Sequence, residues 1–138
     1  MYIQKQLKIK TKGRGTYDLT PEITEIIQQS KLETGLCHVF IHHTSASLII
    51  CENAAPEVLQ DLEYFMQKYA PDGDPNYQHD DEGPDDMSAH IRSVLTQTET
   101  TLPIKNGNCI LGTWQGVFLW EHRTSAHTRQ ITITLQGE

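Results

Sequence analysis

Period-two alternation of polar and apolar residues recurs along this chain without regular interleaving by helices, and that pattern most constrains its fold. Ile3, Leu7 and Ile9 alternate with Gln4, Gln6, Lys8 and Lys10, which describes a half-buried strand. Ile131, Ile133 and Leu135 do the same against Gln130, Thr132 and Thr134. Residues 16–18, 36–43, 46–52, 100–105, 108–114 and 116–123 read as further strands, and Asn106-Gly107 is a hairpin signal. Helical spacing is rarer. Thr20-Pro21 starts one helix, with Thr20 as cap, Pro21 at the first helical position and Ile23, Ile26 and Ile27 as its stripe. Pro56 opens the clearest one, with Val58, Leu59, Leu62, Phe65, Met66 and Tyr69 at steps of three and four. It ends before Pro71. Asp86 caps a third over residues 87–95, with Met87, Ile91, Val94 and Leu95 on one side and His90 and Arg92 off it. A doubly wound parallel sheet would need helices and strands to take turns. The pattern predicts an α+β fold: a mainly antiparallel, β-sandwich-like core of seven to eight strands with two to three helices. Its length makes residues 1–138 one domain.

Charge is as unevenly spread as the helices. Seven of the 18 carboxylates lie between Asp72 and Asp86, where there is no Lys or Arg. The remaining 11 acids balance the 11 bases, so the net charge of −7 belongs to this one loop. Such a chain lacks the cationic surface that nucleic acid requires. No run approaches the roughly 20 apolar residues of a membrane span, and the N-terminus lacks a signal-peptide layout. Cys37, Cys51 and Cys109 are odd in number and set in apolar runs, as buried free thiols of a cytoplasmic protein would be. A metal or a cationic ligand is the natural partner of the loop.

Loops of this length are functional or disordered. Its acids read either as a solvated surface or as a hard-cation site, with Asp80, Asp81 and Asp86 nearest the histidines. His43, His79, His90 and His122 each stand at a strand end or loop edge beside acids, and imidazole serves both as metal ligand and as proton carrier. No His-x-x-x-His or Cys-x-x-Cys spacing is present, so a metal site would have to gather distant segments. Residues 43–47, His-Thr-Ser-Ala-Ser, could bind phosphate through Ser45 and backbone N–H groups. Glu52-Asn53 precedes the second helix, where Asn53 reads as a cap or a ligand contact. In Gly112-Thr-Trp-Gln-Gly116, Trp114 is either a core ring or a pocket wall, with Gln115 orienting a planar ligand. Arg123 and Arg129 suit phosphate, carboxylate or the acidic loop of a neighbouring subunit.

His43-Thr-Ser-Ala-Ser-Leu48, Glu52-Asn53, Asp85-Asp-Met-Ser-Ala-His-Ile91, Gly112-Thr-Trp-Gln-Gly116 and Thr134-Leu-Gln-Gly-Glu138 together resemble the YjbQ family, the secondary thiamine-phosphate synthases. The resemblance runs the length of the chain. It implies a β-rich homotrimer with a pocket of histidines and acids near subunit contacts. It further implies a transferase of weak activity joining a pyrimidine diphosphate to a thiazole phosphate with release of pyrophosphate. Carried over by motif, Asp86, His90 and His43 would be catalytic. Ser45, Glu52, Asn53, Trp114, Gln115, Glu121 and Arg129 would bind a phosphorylated small molecule. His43, His79, His90 and Asp86 would hold a divalent metal, Mg²⁺ or Mn²⁺ with the phosphate substrate or else Zn²⁺. Two other functions use the same residues: a non-catalytic metal- or ligand-binding trimer, and a metal-dependent phosphoester hydrolase. One departure stands out, Ser88 where the family usually has proline, and it should alter helix entry while leaving the chemistry alone.

Overall fold

The computed structural model describes residues 1–138. Its elements are β1 (Tyr2–Lys10), β2 (Gly15–Asp18), α1 (Thr20–Ser30), β3 (Thr34–Ile41), β4 (Ala46–Glu52), α2 (Pro56–Tyr69), α3 (Asp86–Leu95), β5 (Glu99–Lys105), β6 (Asn108–Cys109), β7 (Gln115–Glu121) and β8 (Thr128–Gly137). Five strands form one sheet in the order β1-β8-β3-β5-β6, and β2-β7-β4 form a second. Every pairing is antiparallel. This is the α+β, mainly antiparallel architecture that the alternation predicts. No helix is long and apolar enough to cross a membrane.

The two sheets share one core. Cys37, Val39 and Ile41 of β3, Val117 and Leu119 of β7, and Ile131, Ile133 and Leu135 of β8 all belong to it. Ile23 and Ile27 of α1 join them. Alternate residues of a strand share a face, so extending these inward rows by one step predicts what closes the core's end. Beyond Leu119 comes Glu121, before Ile131 comes Arg129, and beyond Ile9 comes Thr11; all three are buried. The other face of β7 carries Phe118 and Trp120, with His122 just beyond, and lies under α2 and α3: Trp120 Nε1 donates to Glu63 of α2 at 3.1 Å.

Where Gly35 of β3 pairs with Gly137 of β8 the backbones leave no room for a side chain. A Cβ on Gly35 would lie 2.1 Å from the Gln136 carbonyl oxygen. Gly35→Ala is expected to cost about 1–3 kcal/mol by forcing the strands apart, and urea unfolding measures it. An unchanged midpoint would show that the ladder gives way freely.

Local departures from the sequence pattern have physical causes. Thr20 does not cap α1; Leu19 holds that position and the Thr20 hydroxyl accepts the Val117 N–H at 2.9 Å. Asp86 is the first residue of α3 rather than its cap, which is Asp85, and neither side chain caps the helix. The strand expected over 108–114 pairs only at Asn108–Cys109. Its next partner is Pro103, whose carbonyl accepts the Ile110 N–H at 2.9 Å but which has no N–H to return. The apolar stripe of α3 points outward. Val94 is 84% exposed and Leu95 58%, while Asp86, Ser88, Ala89 and Arg92 are buried. Arg92 sets this orientation by pairing with Glu63 of α2 beneath it.

Candidate metal centre

Asp86 and His90 lie one helical turn apart on α3, so the helix alone brings them together. Asp86 Oδ2 is 3.3 Å from His90 Nε2. The acidic loop adds His79, whose Nε2 is 2.8 Å from the same oxygen. One ligand atom from each of His79, Asp86 and His90 lies within 4.8 Å of the others.

The outer atoms of the trio are tied down. His90 Nδ1 is 3.1 Å from the Thr44 carbonyl, which can only accept, so Nδ1 carries a proton. In the neutral ring Nε2 is then a bare lone pair facing a carboxylate oxygen. A positive charge between the two atoms, such as a metal ion, would favour this arrangement. The remaining Asp86 oxygen, Oδ1, accepts from Arg123 Nη1 at 3.0 Å. Arg123 also donates through Nε to Asp85 at 2.9 Å and through Nη2 to the Glu82 carbonyl at 2.9 Å. Burial pushes the Asp86 carboxyl up. The His79 hydrogen bond and the charges of His90 and Arg123 outweigh it and hold the group below the usual carboxylate range. Burial also opposes ionisation of Asp85, yet the Thr124 N–H and Arg123 bring its pKa to about 2.

Arg123 is the residue that motif reasoning left out of the site. Seven acids with no base among them need positive charge from elsewhere, and that requirement was the available signal. Arg123 pairs with the loop of its own chain rather than a neighbour's. Arg14 does the same, clasping Asp72 through Nη1 at 2.8 Å and Nη2 at 2.9 Å. Ser88, the departure from the family pattern, donates to Asp72 and to the Asp85 carbonyl, so it fastens the loop to α3.

The other expected residues fall into two groups. At the end of the core, Arg129 donates to both oxygens of Glu121, which is fully buried and also accepts from Thr11 at 2.9 Å. Arg129 Nη2 reaches Ser45 Oγ at 3.0 Å. Glu121 and Arg129 thus spend their polar atoms on each other and on positioning Ser45. His43 sits nearby and lines an open cleft with His42, Thr44, Ser45 and Thr98. Its Nε2 accepts the Gln130 N–H at 2.7 Å, and it stands outside the converging trio. Burial, with the charge of Arg129, pushes its pKa down.

Glu52, Asn53, Trp114 and Gln115 lie at the opposite end of the β4–β7 pair. Ala46 faces Glu121 there and Glu52 faces Gln115, six residues or about 20 Å away. Glu52 accepts the Ala54 and Ala55 N–H groups, Asn53 holds the Thr113 and Gln115 carbonyls, and Gln115 accepts the Gly112 N–H at 2.7 Å. Trp114 is 64% exposed, not a core ring. His122 is wholly buried, sharing a 2.8 Å hydrogen bond with Ser47, and belongs to neither group. Within one chain, then, the expected residues form a metal-type trio, a closed polar end of the core and a remote loop staple.

A family model described as "UPF0047 protein YjbQ-like" matches residues 5–138. The chain belongs to this YjbQ family. A relative in Synechocystis sp., UPF0047 protein sll1880, is 50% identical over 135 residues, 98% of this chain and 92% of that protein. UPF0047 protein YjbQ of Escherichia coli O157:H7 is 43% identical over the whole of both chains. Among solved structures, an uncharacterised YjbQ/UPF0047 protein of Clostridium acetobutylicum superposes with a TM-score of 0.84 at 30% identity, covering 97% of this chain and 99% of that one. Hypothetical protein APE1520 of Aeropyrum pernix K1 reaches 0.89 at 24% identity, over 99% of each chain, and shares the fold.

Proposed function

We propose that this member of the YjbQ family is a metal-dependent enzyme acting on a phosphorylated small molecule, with the metal held by His79, Asp86 and His90. The observation that carries this reading is the convergence of one ligand atom each from His79, Asp86 and His90 within 4.8 Å, with His90 Nδ1 pinned to Thr44. A histidine oriented through its other nitrogen is the usual arrangement at metal sites. Two imidazoles and one carboxylate suit Zn²⁺ or Mn²⁺ better than Mg²⁺, which favours oxygen ligands and keeps its waters. Three protein ligands leave positions open for substrate.

When bound, the metal would act as a Lewis acid towards phosphate oxygens. The chain's own residues supply the rest. Arg123 fixes Asp86 so that Oδ2 faces the histidines, and Ser45, oriented by Arg129, presents a hydroxyl beside His43. The reaction to test is the one the resemblance suggests, condensation of a pyrimidine diphosphate with a thiazole phosphate and release of pyrophosphate. Phosphoester hydrolysis is the control reaction.

Assembly into a trimer forms part of the same proposal. The outward stripe of α3 and exposed Tyr64, Phe65 and Tyr69 on α2 are apolar faces that a closed oligomer would cover. A neighbour could then also bring Glu52, Asn53 and Trp114 towards the centre. Light scattering on the purified protein tests the stoichiometry.

Calorimetric titration of chelator-stripped protein should show one Zn²⁺ or Mn²⁺ per chain. Arg123→Gln, which removes an outer partner of Asp86 together with a tether of the loop, should weaken the metal by roughly 10–100-fold. Asp86→Ala and His90→Ala should weaken it further and abolish turnover. Full turnover in excess chelator would refute the metal reading. Stoichiometric metal without turnover on either reaction would leave a binding protein.

A further inference from the structure

His79 is the one member of the trio that does not come from a helix. It sits near the middle of a loop whose ends are joined, since the Gly73 N–H donates to the Pro84 carbonyl at 2.9 Å. Residues 73–84 therefore form a compact Ω-loop. Gly73 and Gly83, at φ +69° and +104°, make the bends at its two ends. Both legs are anchored to the body: Asp72 by Arg14 and Ser88, and Glu82, Asp85 and Asp86 by Arg123. The tip is not. Asn76 and Tyr77 give their N–H groups to Asp74 within the loop. Between Asp74 and Asp81, the hydrogen bond that reaches the body is the one from His79 to Asp86. Asp80 and Asp81 are exposed and pair with no Lys or Arg, and Asp74 and Tyr77 are only half-buried. Together with α3, the loop encloses a cleft of about 310 Å³, lined by Asp74, Tyr77, His79, Asp80 and Met87 among others.

We infer that metal binding at the centre orders this loop: the tip closes when His79 becomes a ligand, and closure builds the 310 Å³ cleft beside the metal. This rests on the metal-centre reading above. Asp86 and His90 are preformed on α3, whereas His79 is brought in by a segment with one tether. A metal that needs all three stabilises the closed loop by mass action. The cleft's walls of Asp74, Asp80 and Tyr77 would then take the uncharged or cationic part of a substrate whose phosphate sits on the metal.

Hydrogen–deuterium exchange of the Asn76 and Tyr77 amides, the two bonded to Asp74 within the tip, with and without Zn²⁺ tests the coupling on the full chain. At free Zn²⁺ about 100 times Kd, opening that excludes binding is suppressed by about 100-fold, so these amides should slow by up to that factor. His79→Ala sits on the exposed loop and leaves the fold intact. It should still bind Zn²⁺ weakly through Asp86 and His90, and at saturation its loop should show no slowing. Zn²⁺ binding with unchanged exchange in the unmodified protein, or equal slowing in His79→Ala, would overturn the inference while sparing the metal centre. No Zn²⁺ binding by calorimetry would overturn both.

Discussion

Arg129→Met should destabilise the protein by about 3–5 kcal/mol, because it strands a buried carboxylate. Glu121 is fully buried, and Arg129 answers both of its oxygens. Burial drives the Glu121 carboxyl up, but Arg129 and the Arg123 N–H outweigh it and hold the group below the usual range. Without Arg129 only burial and weaker partners remain, so Glu121 must bind a proton or leave the core. The sign of the pH effect then reverses. In the native protein the depressed Glu121 stabilises the fold above its unfolded pKa, and that stability is lost as pH falls through the folded value. In Arg129→Met the folded pKa lies above the unfolded one, so the variant should gain relative stability as pH falls. The double variant Glu121→Met/Arg129→Met should recover part or all of the loss, since apolar isosteres often match a buried ion pair. Urea unfolding at several pH values reads all of this. A loss below about 1 kcal/mol for Arg129→Met would show that water reaches Glu121 and that the end of the core is not closed as described.

That closed end also explains why part of the site was legible in the sequence and part was not. Strand parity was legible because a one-residue slip would turn Ile131, Ile133 and Leu135 out of the core. The same parity assigns Glu121 and Arg129 to the inner face, where each finds the other; motif reading alone made both substrate ligands. The i, i+4 spacing of Asp86 and His90 was in the sequence, but taking Asp86 as the cap of α3 hid it, and the trio gathers one short segment rather than distant ones. What no local pattern reveals is which strand end meets which. Antiparallel β4–β7 pairing sends Ser45 and Glu52 to opposite ends, so residues grouped by family motif separate within one chain. Arg123 lies two residues past β7, and its guanidinium suited phosphate and carboxylate alike; the charge balance of the distant loop is what singles out the acids. The stripe on α3 had the right period, yet helical period does not say which side faces in. Buried Arg92 decides that, through a partner 29 residues earlier.

A second large effect is expected at His122, in the acid limb of the stability curve. This ring is wholly buried beneath α2 and α3, with Nε2 on Ser47 at 2.8 Å and Nδ1 without a partner. Its neighbours in charge are Arg92, Arg14 and Arg129, all of one sign. Burial foremost, then these guanidiniums, lower its pKa from 6.5 to about 3. The folded protein therefore keeps the imidazole neutral where the unfolded chain protonates it. Between those two values the unfolded state binds more protons, so stability rises with pH. The contribution is complete above pH 6.5 and is lost as pH falls towards 3. The slope is about 1.4 kcal/mol per pH unit for one proton, or roughly 2 kcal/mol between pH 6.5 and 5. The depressed carboxyls of Asp72, Asp85, Asp86 and Glu121 act in the same direction but only near and below the ordinary carboxylate range, so the interval above pH 5 belongs to the lowered histidines, His122 foremost and His43 beside it. His122→Gln keeps a donor for Ser47 and cannot titrate. Its urea midpoint should fall less steeply from pH 7 to 5 than that of the unmodified protein, His43 supplying what slope remains, and parallel curves would mean that His122 is hydrated enough to take up its proton in the folded state.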